Sequence, residues 1–178
     1  QDEIAKEVVN ALQIQLLGEV PTATTTNAEA YNLYLKGKHF FAKSNQESFA
    51  AAEKAYREAL AVDPDFAPAW AGLAFALRSQ ANWGYIDVHE GTAAAREAAH
   101  RALELDQSLA EAWAALAHIQ FVYDWAWDRS EGTIRTALQY GPRNIVVLEQ
   151  AARIMRGLGY ADKAVEYAKY AIKLDPLS

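Results

Sequence analysis

A short pattern that recurs four times constrains the fold more than any other feature of this sequence. Its clearest copies are Glu58–Pro64 and Tyr170–Pro176, in which apolar residues run into Asp-Pro. Two looser copies are Arg101–Gln107 and Thr136–Pro142, and the last residues of successive copies lie 43, 35 and 34 residues apart. A pattern that repeats at intervals of this order indicates an array of similar supersecondary units stacked side by side.

The composition favours helices for these units. The 178 residues include 37 alanines, against nine glycines and five prolines. Alanine loses the least conformational freedom on entering a helix, so a chain this rich in alanine forms helices readily. We therefore expect each repeated unit to be helical.

Charge and cysteine content exclude several classes of function. The formal net charge is −6, which argues against non-specific binding of nucleic acid through this segment. The absence of cysteine excludes disulfides, thiolate metal sites and a cysteine nucleophile. No run of apolar residues is long enough to span a membrane. The compartment stays open, with the cytoplasm favoured over the periplasm.

Two near-identical stretches, Ala67–Ala74 and Ala110–Ala117, place Trp70 and Trp113 at equivalent positions of neighbouring repeats. With the period of about 34 residues, this Trp/Leu/small/Ala/Pro pattern resembles the tetratricopeptide repeat family over about residues 28–176. The resemblance implies an all-α fold, a right-handed α-solenoid of four helical hairpins preceded by one amphipathic helix. The expected repeats are about 28–66, 67–109, 110–144 and 145–178.

The hairpins should pack closely because small residues recur on each second helix, while Trp70 and Trp113 should fill the gaps between hairpins. We also expect capping boxes at Ser44/Glu47 and Asp128/Glu131, and N-caps at Asp65 and Ser108. In the long turn over residues 79–91, Trp83, Tyr85 and Ile86 should fold back onto the array. The small residues are Ala52, Ala59, Ala95, Ala102, Ser130, Ala137, Ala164 and Ala171.

Residues 1–18 carry apolar side chains at helical spacing, so they predict a leading amphipathic helix, followed by a polar linker over 19–27. The strings Gln1–Ala5, Asn27–Gly37 and Tyr123–Trp127 resemble bacterial signalling proteins of one architecture. In these, a class III adenylate or guanylate cyclase or a winged-helix DNA-binding output domain precedes a small α/β domain and then such repeats. The resemblance implies that residues 1–18 are the tail of that upstream domain. It also implies that the repeats form a regulatory, partner-docking region.

We find no signature of catalysis. The histidines His39, His89, His100 and His118 are scattered, and the His-Glu start at His89 lacks its second histidine because residue 93 is alanine. There is no phosphate-binding glycine loop and no nucleophile elbow. We therefore expect no catalytic residues, no metal and no cofactor, and enzymatic activity is only a remote alternative.

A binding groove is the favoured functional site. The family's inward-facing positions on the first helix of each repeat give a groove that is aromatic at one end and bears arginines at the other. The ligand expected is a mainly apolar protein or peptide segment, with an acidic group reaching Arg153 or Arg156. The Lys/Asn set of the family's carboxylate clamp is absent. The predicted groove residues are Tyr34, Lys38, Phe41, Phe75, Arg78, His118, Phe121, Arg153 and Arg156.

The sequence thus favours a non-catalytic protein-interaction module in a larger bacterial signalling or transcription regulator. A module that assembles its parent protein is the alternative. In that case the leading helix would dock on its own array or on a second copy in a homodimer.

Overall fold

The computed structural model describes residues 27–176, which form eight helices and contain no strand. The predicted leading helix, and the linker up to residue 26, lie outside the described residues. Asn27, the last residue of that linker, caps the first helix by accepting from the backbone N–H groups of Glu29 and Ala30. The helices are α1 Ala28–Ala42, α2 Gln46–Val62, α3 Ala67–Asn82, α4 Val88–Leu105, α5 Ala110–Val122, α6 Trp127–Tyr140, α7 Ile145–Gly157 and α8 Ala161–Leu174.

The helices pair into four successive hairpins, α1/α2, α3/α4, α5/α6 and α7/α8. The second helix of each hairpin also packs on the first helix of the next, and each first helix contacts the following first helix. This is the contact pattern of an α-solenoid, because every unit touches only its neighbours along the chain. The predicted fold class is confirmed for the described residues.

Small residues on the second helices allow the paired helices to approach closely, as predicted. All eight are buried, and Ser130 additionally donates its hydroxyl to the backbone oxygen of Ala117 at 2.7 Å. A larger side chain at such a position would have to displace its neighbours, because helix interfaces are packed at crystal-like density.

Tyr56 on α2 fills the space between the first two hairpins. A Cβ atom added to Gly37 on α1, or to Gly72 on α3, would lie 2.5 Å from the Tyr56 ring, which is buried. Glycine at both positions therefore lets one aromatic ring bridge α1 and α3.

Trp70 and Trp113 anchor the junctions between hairpins. Each indole is half-buried against the core and donates a hydrogen bond to the turn before its helix, to Pro64 O at 2.8 Å and to Gln107 O at 2.9 Å respectively. This agrees with the packing role that their equivalent sequence positions predict.

The predicted helix caps are wrong by a residue or more. Ser44 has a left-handed backbone with φ of 52°, so the helix start moves to Asn45, whose side chain forms a capping box with Ser48. The next predicted box, at Asp128 and Glu131, does not form, because both residues already lie within α6 and its N-cap residue Ala126 makes no side-chain cap.

The first helices α3 and α5 begin after Phe66 and Leu109, and neither has a side-chain cap. The residues predicted to cap them instead belong to the preceding turn. Asp65 and Ser108 donate their backbone N–H groups to the carboxylates of Asp63 and Asp106, at 3.2 and 2.9 Å. The aspartate of the repeated pattern therefore shapes the turn between hairpins.

Candidate functional site

The nine predicted groove residues all lie on the first helices of the hairpins. Because α1, α3, α5 and α7 contact one another in order, they form one continuous surface, which we call the first-helix face. In solenoids of this kind such a surface is the concave one that is available to a ligand.

Two of the predicted aromatic residues are covered by their own neighbours. Tyr34 is 8 % exposed and packs its ring edge-on against Phe66 with 5.2 Å between ring centroids, and Phe75 is 6 % exposed and packs against Phe41 at 6.2 Å. Burial, with the nearby charge of Glu111, raises the pKa of Tyr34 far above its ordinary value. Tyr34 and Phe75 therefore support the first-helix face from beneath, which corrects the expectation that they line it.

Six of the other predicted residues remain reachable from solvent. Lys38 on α1 is exposed with its ammonium 5.8 Å from the centre of the Tyr34 ring, and Arg153 and Arg156 are exposed on α7. Phe41, His118 and Phe121 are half-buried. The first-helix face thus carries cations near both ends and partly covered rings between them.

Arg78 is the exception, because it is a buried charge. It is 7 % exposed, and its guanidinium lies 5.1 Å from the centre of the Phe75 ring. Burial lowers the pKa of Arg78 to about 10, and the charge of Arg153 acts in the same direction. Arg78 nevertheless stays protonated at neutral pH.

His118 lies close to Arg78 and is held neutral. Its Nδ1 is 3.0 Å from Oε1 of Gln150 on α7, and burial together with the charge of Arg78 lowers the pKa of His118 to about 3. With Nδ1 donating to the Gln150 oxygen, Nε2 is an unprotonated acceptor, and it is buried without a partner.

Four buried side-chain atoms in the described part of the chain have no hydrogen-bond partner: Arg78 Nε, Thr92 Oγ1, His118 Nε2 and Tyr123 OH. All four belong to the second and third hairpins. Arg78 acts electrostatically on both His118 and Tyr123, and the Thr92 hydroxyl lies beside that of Tyr123. Unpartnered buried polar atoms are rare in folded proteins, so four in one neighbourhood call for an explanation.

The acidic side chains around this group are already engaged. Asp124 forms a two-point ion pair with Arg96 at 2.7 and 3.0 Å, and Glu149 also has a partner. The partner of Asp124 is thus Arg96 and not Arg78. Glu53 is engaged by Arg57 and Gln80, and Glu111 by Asn144.

A second surface was not foreseen from the sequence. In the turn between α3 and α4, Trp83 is 64 % exposed and Tyr85 is also exposed, so only Ile86 folds back onto the array, against Gly91. The expectation that all three fold back is wrong, because α3 continues to Asn82 and leaves a short turn. Between α5 and α6, Trp125 and the first residue of α6, Trp127, are also exposed, with 6.0 Å between their ring centroids.

The sequence did not indicate Thr92, Tyr123 or Gln150 as part of any site. Thr92 and Gln150 lie on α4 and α7 at positions that no motif singles out. Tyr123 is the C-cap residue of α5 and belongs to the string that carried the narrower resemblance, which was the one available signal.

The residues described by the structure contain no cluster of histidines and carboxylates suited to a metal ion. Within this same part of the chain, none of the helices combines the length and apolar character needed to cross a membrane.

The sequence matches no model of a protein family and no curated protein. The structure is similar to the crystal structure of TTC0263, a thermophilic TPR protein of Thermus thermophilus. That match has 21% sequence identity and a TM-score of 0.56, and it covers 83% of this chain and 75% of the other.

Two crystal structures of MamA also match, each at 20% identity, with TM-scores of 0.41 and 0.38. These matches cover 79% and 83% of this chain and 94% and 92% of the MamA chains. The likeness to TTC0263, together with the four stacked hairpins, shows that this chain has the fold of a tetratricopeptide-repeat solenoid.

Proposed function

We propose that this chain is a non-catalytic docking module that binds a segment of a partner protein along the first-helix face. The observation that carries the proposal is that one continuous face bears three exposed cations and three half-buried rings. Arginine and aromatic side chains are the residue types enriched at the energetic centres of protein interfaces.

The ligand should be more acidic than the sequence alone suggests. Tyr34 and Phe75 are withdrawn into the core, so the apolar contribution of the first-helix face falls to Phe41 and Phe121. Lys38, Arg153 and Arg156 then dominate what a ligand meets, although the chain as a whole carries a net charge of −6. An extended or helical segment with apolar residues between acidic ones fits this surface.

A regulatory role is the finer part of the proposal. It rests on the resemblance of residues 27–37 and 123–127 to bacterial signalling proteins in which such repeats follow a cyclase or winged-helix output domain. In that setting, binding on the first-helix face would be passed to the output domain.

Self-association is a second candidate, favoured by one observation on the last helix. Val165 and Ile172 are 51% and 61% exposed, and they lie seven residues apart on one side of α8. Two exposed branched apolar side chains on one helical face can pack against the same face of a second copy.

The experiment that tests the proposal begins with peptides selected from a random display library on the immobilised chain. The tightest peptide is titrated into ¹⁵N-labelled protein, and its scrambled version serves as the control. We expect amide shifts concentrated on α1, α3, α5 and α7. Shifts confined to α8 or to the turns carrying Trp83 and Trp125 would contradict the placement.

Sedimentation of the same sample addresses the second candidate. A concentration-dependent dimer that becomes monomeric in the Val165→Ser/Ile172→Ser variant would establish self-association through α8. A monomer at all concentrations would exclude it for this chain.

A further inference from the structure

We propose that Arg78 is a binding site for the carboxylate of an acidic side chain, aspartate or glutamate, in the docked partner segment. This inference rests on the proposed function, because it assigns the central contact of the ligand on the first-helix face. It is carried by the geometry of one buried guanidinium and the unpartnered atoms around it.

The guanidinium lacks the counter-charge that a buried arginine ordinarily has. Arg78 is 7 % exposed, its Nε is enclosed without an acceptor, and its guanidinium lies over the Phe75 ring. A buried charge is costly unless it is paired and hydrogen-bonded. A carboxylate entering from outside would supply both the charge and the acceptors, since a guanidinium fork matches a carboxylate at two points.

The site is still reachable. Among the Arg78 nitrogens only Nε is completely enclosed and unpartnered, so the residual exposure of the side chain leaves the outer guanidinium nitrogens accessible. These outer nitrogens are the ones that a carboxylate engages in the two-point geometry.

The neighbouring charges suit an anion. Arg153 adds a second positive charge close enough to act on Arg78, and this charge also favours an anion. His118 is neutral, so it neither repels the guanidinium nor attracts the anion.

The position of Arg78 favours an acidic side chain over the free end of a peptide. Arg78 lies on the second of the four first helices, and the first-helix face continues past it in both directions, to Lys38 on α1 and to Arg153 and Arg156 on α7. A segment that runs the length of this face crosses Arg78 in mid-chain and presents a side chain there.

The test uses small probes and the side-chain Nε–Hε resonance of Arg78, assigned by its disappearance in the Arg78→Met variant. The first probe is glutamate blocked as N-acetyl and α-amide, which carries only a side-chain carboxylate. The matched neutral probe is glutamine with the same two blocks. The third probe is N-acetylglutamine with a free α-carboxylate, which mimics a peptide end.

We expect a saturable shift of the Arg78 resonance with blocked glutamate and none with blocked glutamine. The exposed Arg156 resonance serves as the internal control and should move much less. No shift with blocked glutamate would overturn the inference, as would a response to the free α-carboxylate alone.

Failure of this inference can be distinguished from failure of the proposed function. A selected peptide could shift the amide resonances of the first helices and still bind after each of its acidic residues is replaced by the corresponding amide. That result would leave docking intact and overturn the Arg78 site.

Discussion

Phe75→Ala should destabilise the chain by about 3–5 kcal/mol, the range typical of removing a buried phenylalanine. The side chain is 6 % exposed and packs against Phe41 on one side and the Arg78 guanidinium on the other. Its removal would leave a cavity between α1 and α3 at the base of the first-helix face. Urea unfolding followed by far-ultraviolet circular dichroism measures the loss directly.

The matched control is Trp83→Ala, which removes a larger aromatic side chain that is 64 % exposed. Surface substitutions of this kind usually change stability by less than about 0.5 kcal/mol. If the two variants lost equal stability, Phe75 would have to face solvent and line the groove directly, in conflict with the structure.

Arg78→Met should do the opposite and stabilise the unliganded chain. Removing one partner from a buried ion pair, which leaves an unpaired charge, costs about 3–5 kcal/mol. The desolvated contact with the Phe75 ring offsets about 2 kcal/mol of that cost. Methionine keeps the length and apolar body of the side chain, so we expect a net gain of about 1–2 kcal/mol, read from the urea midpoint.

Arg156→Met is the control, because Arg156 is exposed and its replacement relieves no burial. It should leave the urea midpoint nearly unchanged. A clear loss of stability in Arg78→Met would mean that the guanidinium already has a stabilising partner. The proposed carboxylate site would then be wrong.

The sequence predicted the architecture well, because hairpin packing is encoded by local, periodic choices. Ala52 and Ala59 recur as Ala95 and Ala102 at the same positions of the next unit, and all four are buried. The period alone identifies which residues face a neighbouring helix, so the sequence is enough to assign all eight small residues to helix interfaces.

Helix starts were predicted less well because they depend on single backbone angles. A left-handed residue at Ser44 shifts the cap to Asn45, and no pattern in the sequence announces it. In the same way, α3 runs on to Asn82, which turns an apparently long loop into a short one and leaves Trp83 in solvent.

The sequence predicted which helices carry the site but not which of its side chains are buried. Positions within the repeat indicate which residues point toward the first-helix face. They do not reveal that Tyr56 and Phe66 pack against Tyr34, because Tyr56 comes from the second helix and Phe66 from the turn between hairpins. The residues around Arg78 come from three different helices. Only the three-dimensional structure shows that Thr92, His118 and Tyr123 each have a buried polar atom there without a hydrogen-bond partner.

The most direct test of docking on the first-helix face is a comparison of two matched double charge reversals. Lys38→Glu/Arg156→Glu reverses one lysine and one arginine on α1 and α7, while Lys54→Glu/Arg129→Glu reverses the same pair of residue types on the second helices α2 and α6. The affinity of the selected peptide is measured by calorimetry for both variants. All four residues are exposed, so both variants should remain folded.

We predict that the first-helix reversal weakens binding by about 10- to 100-fold, since like charges placed against an acidic ligand cost several kcal/mol at close range. The second-helix reversal should change the affinity by less than about twofold. Equal losses in the two variants, or a loss confined to the second-helix reversal, would show that the partner binds elsewhere on the solenoid.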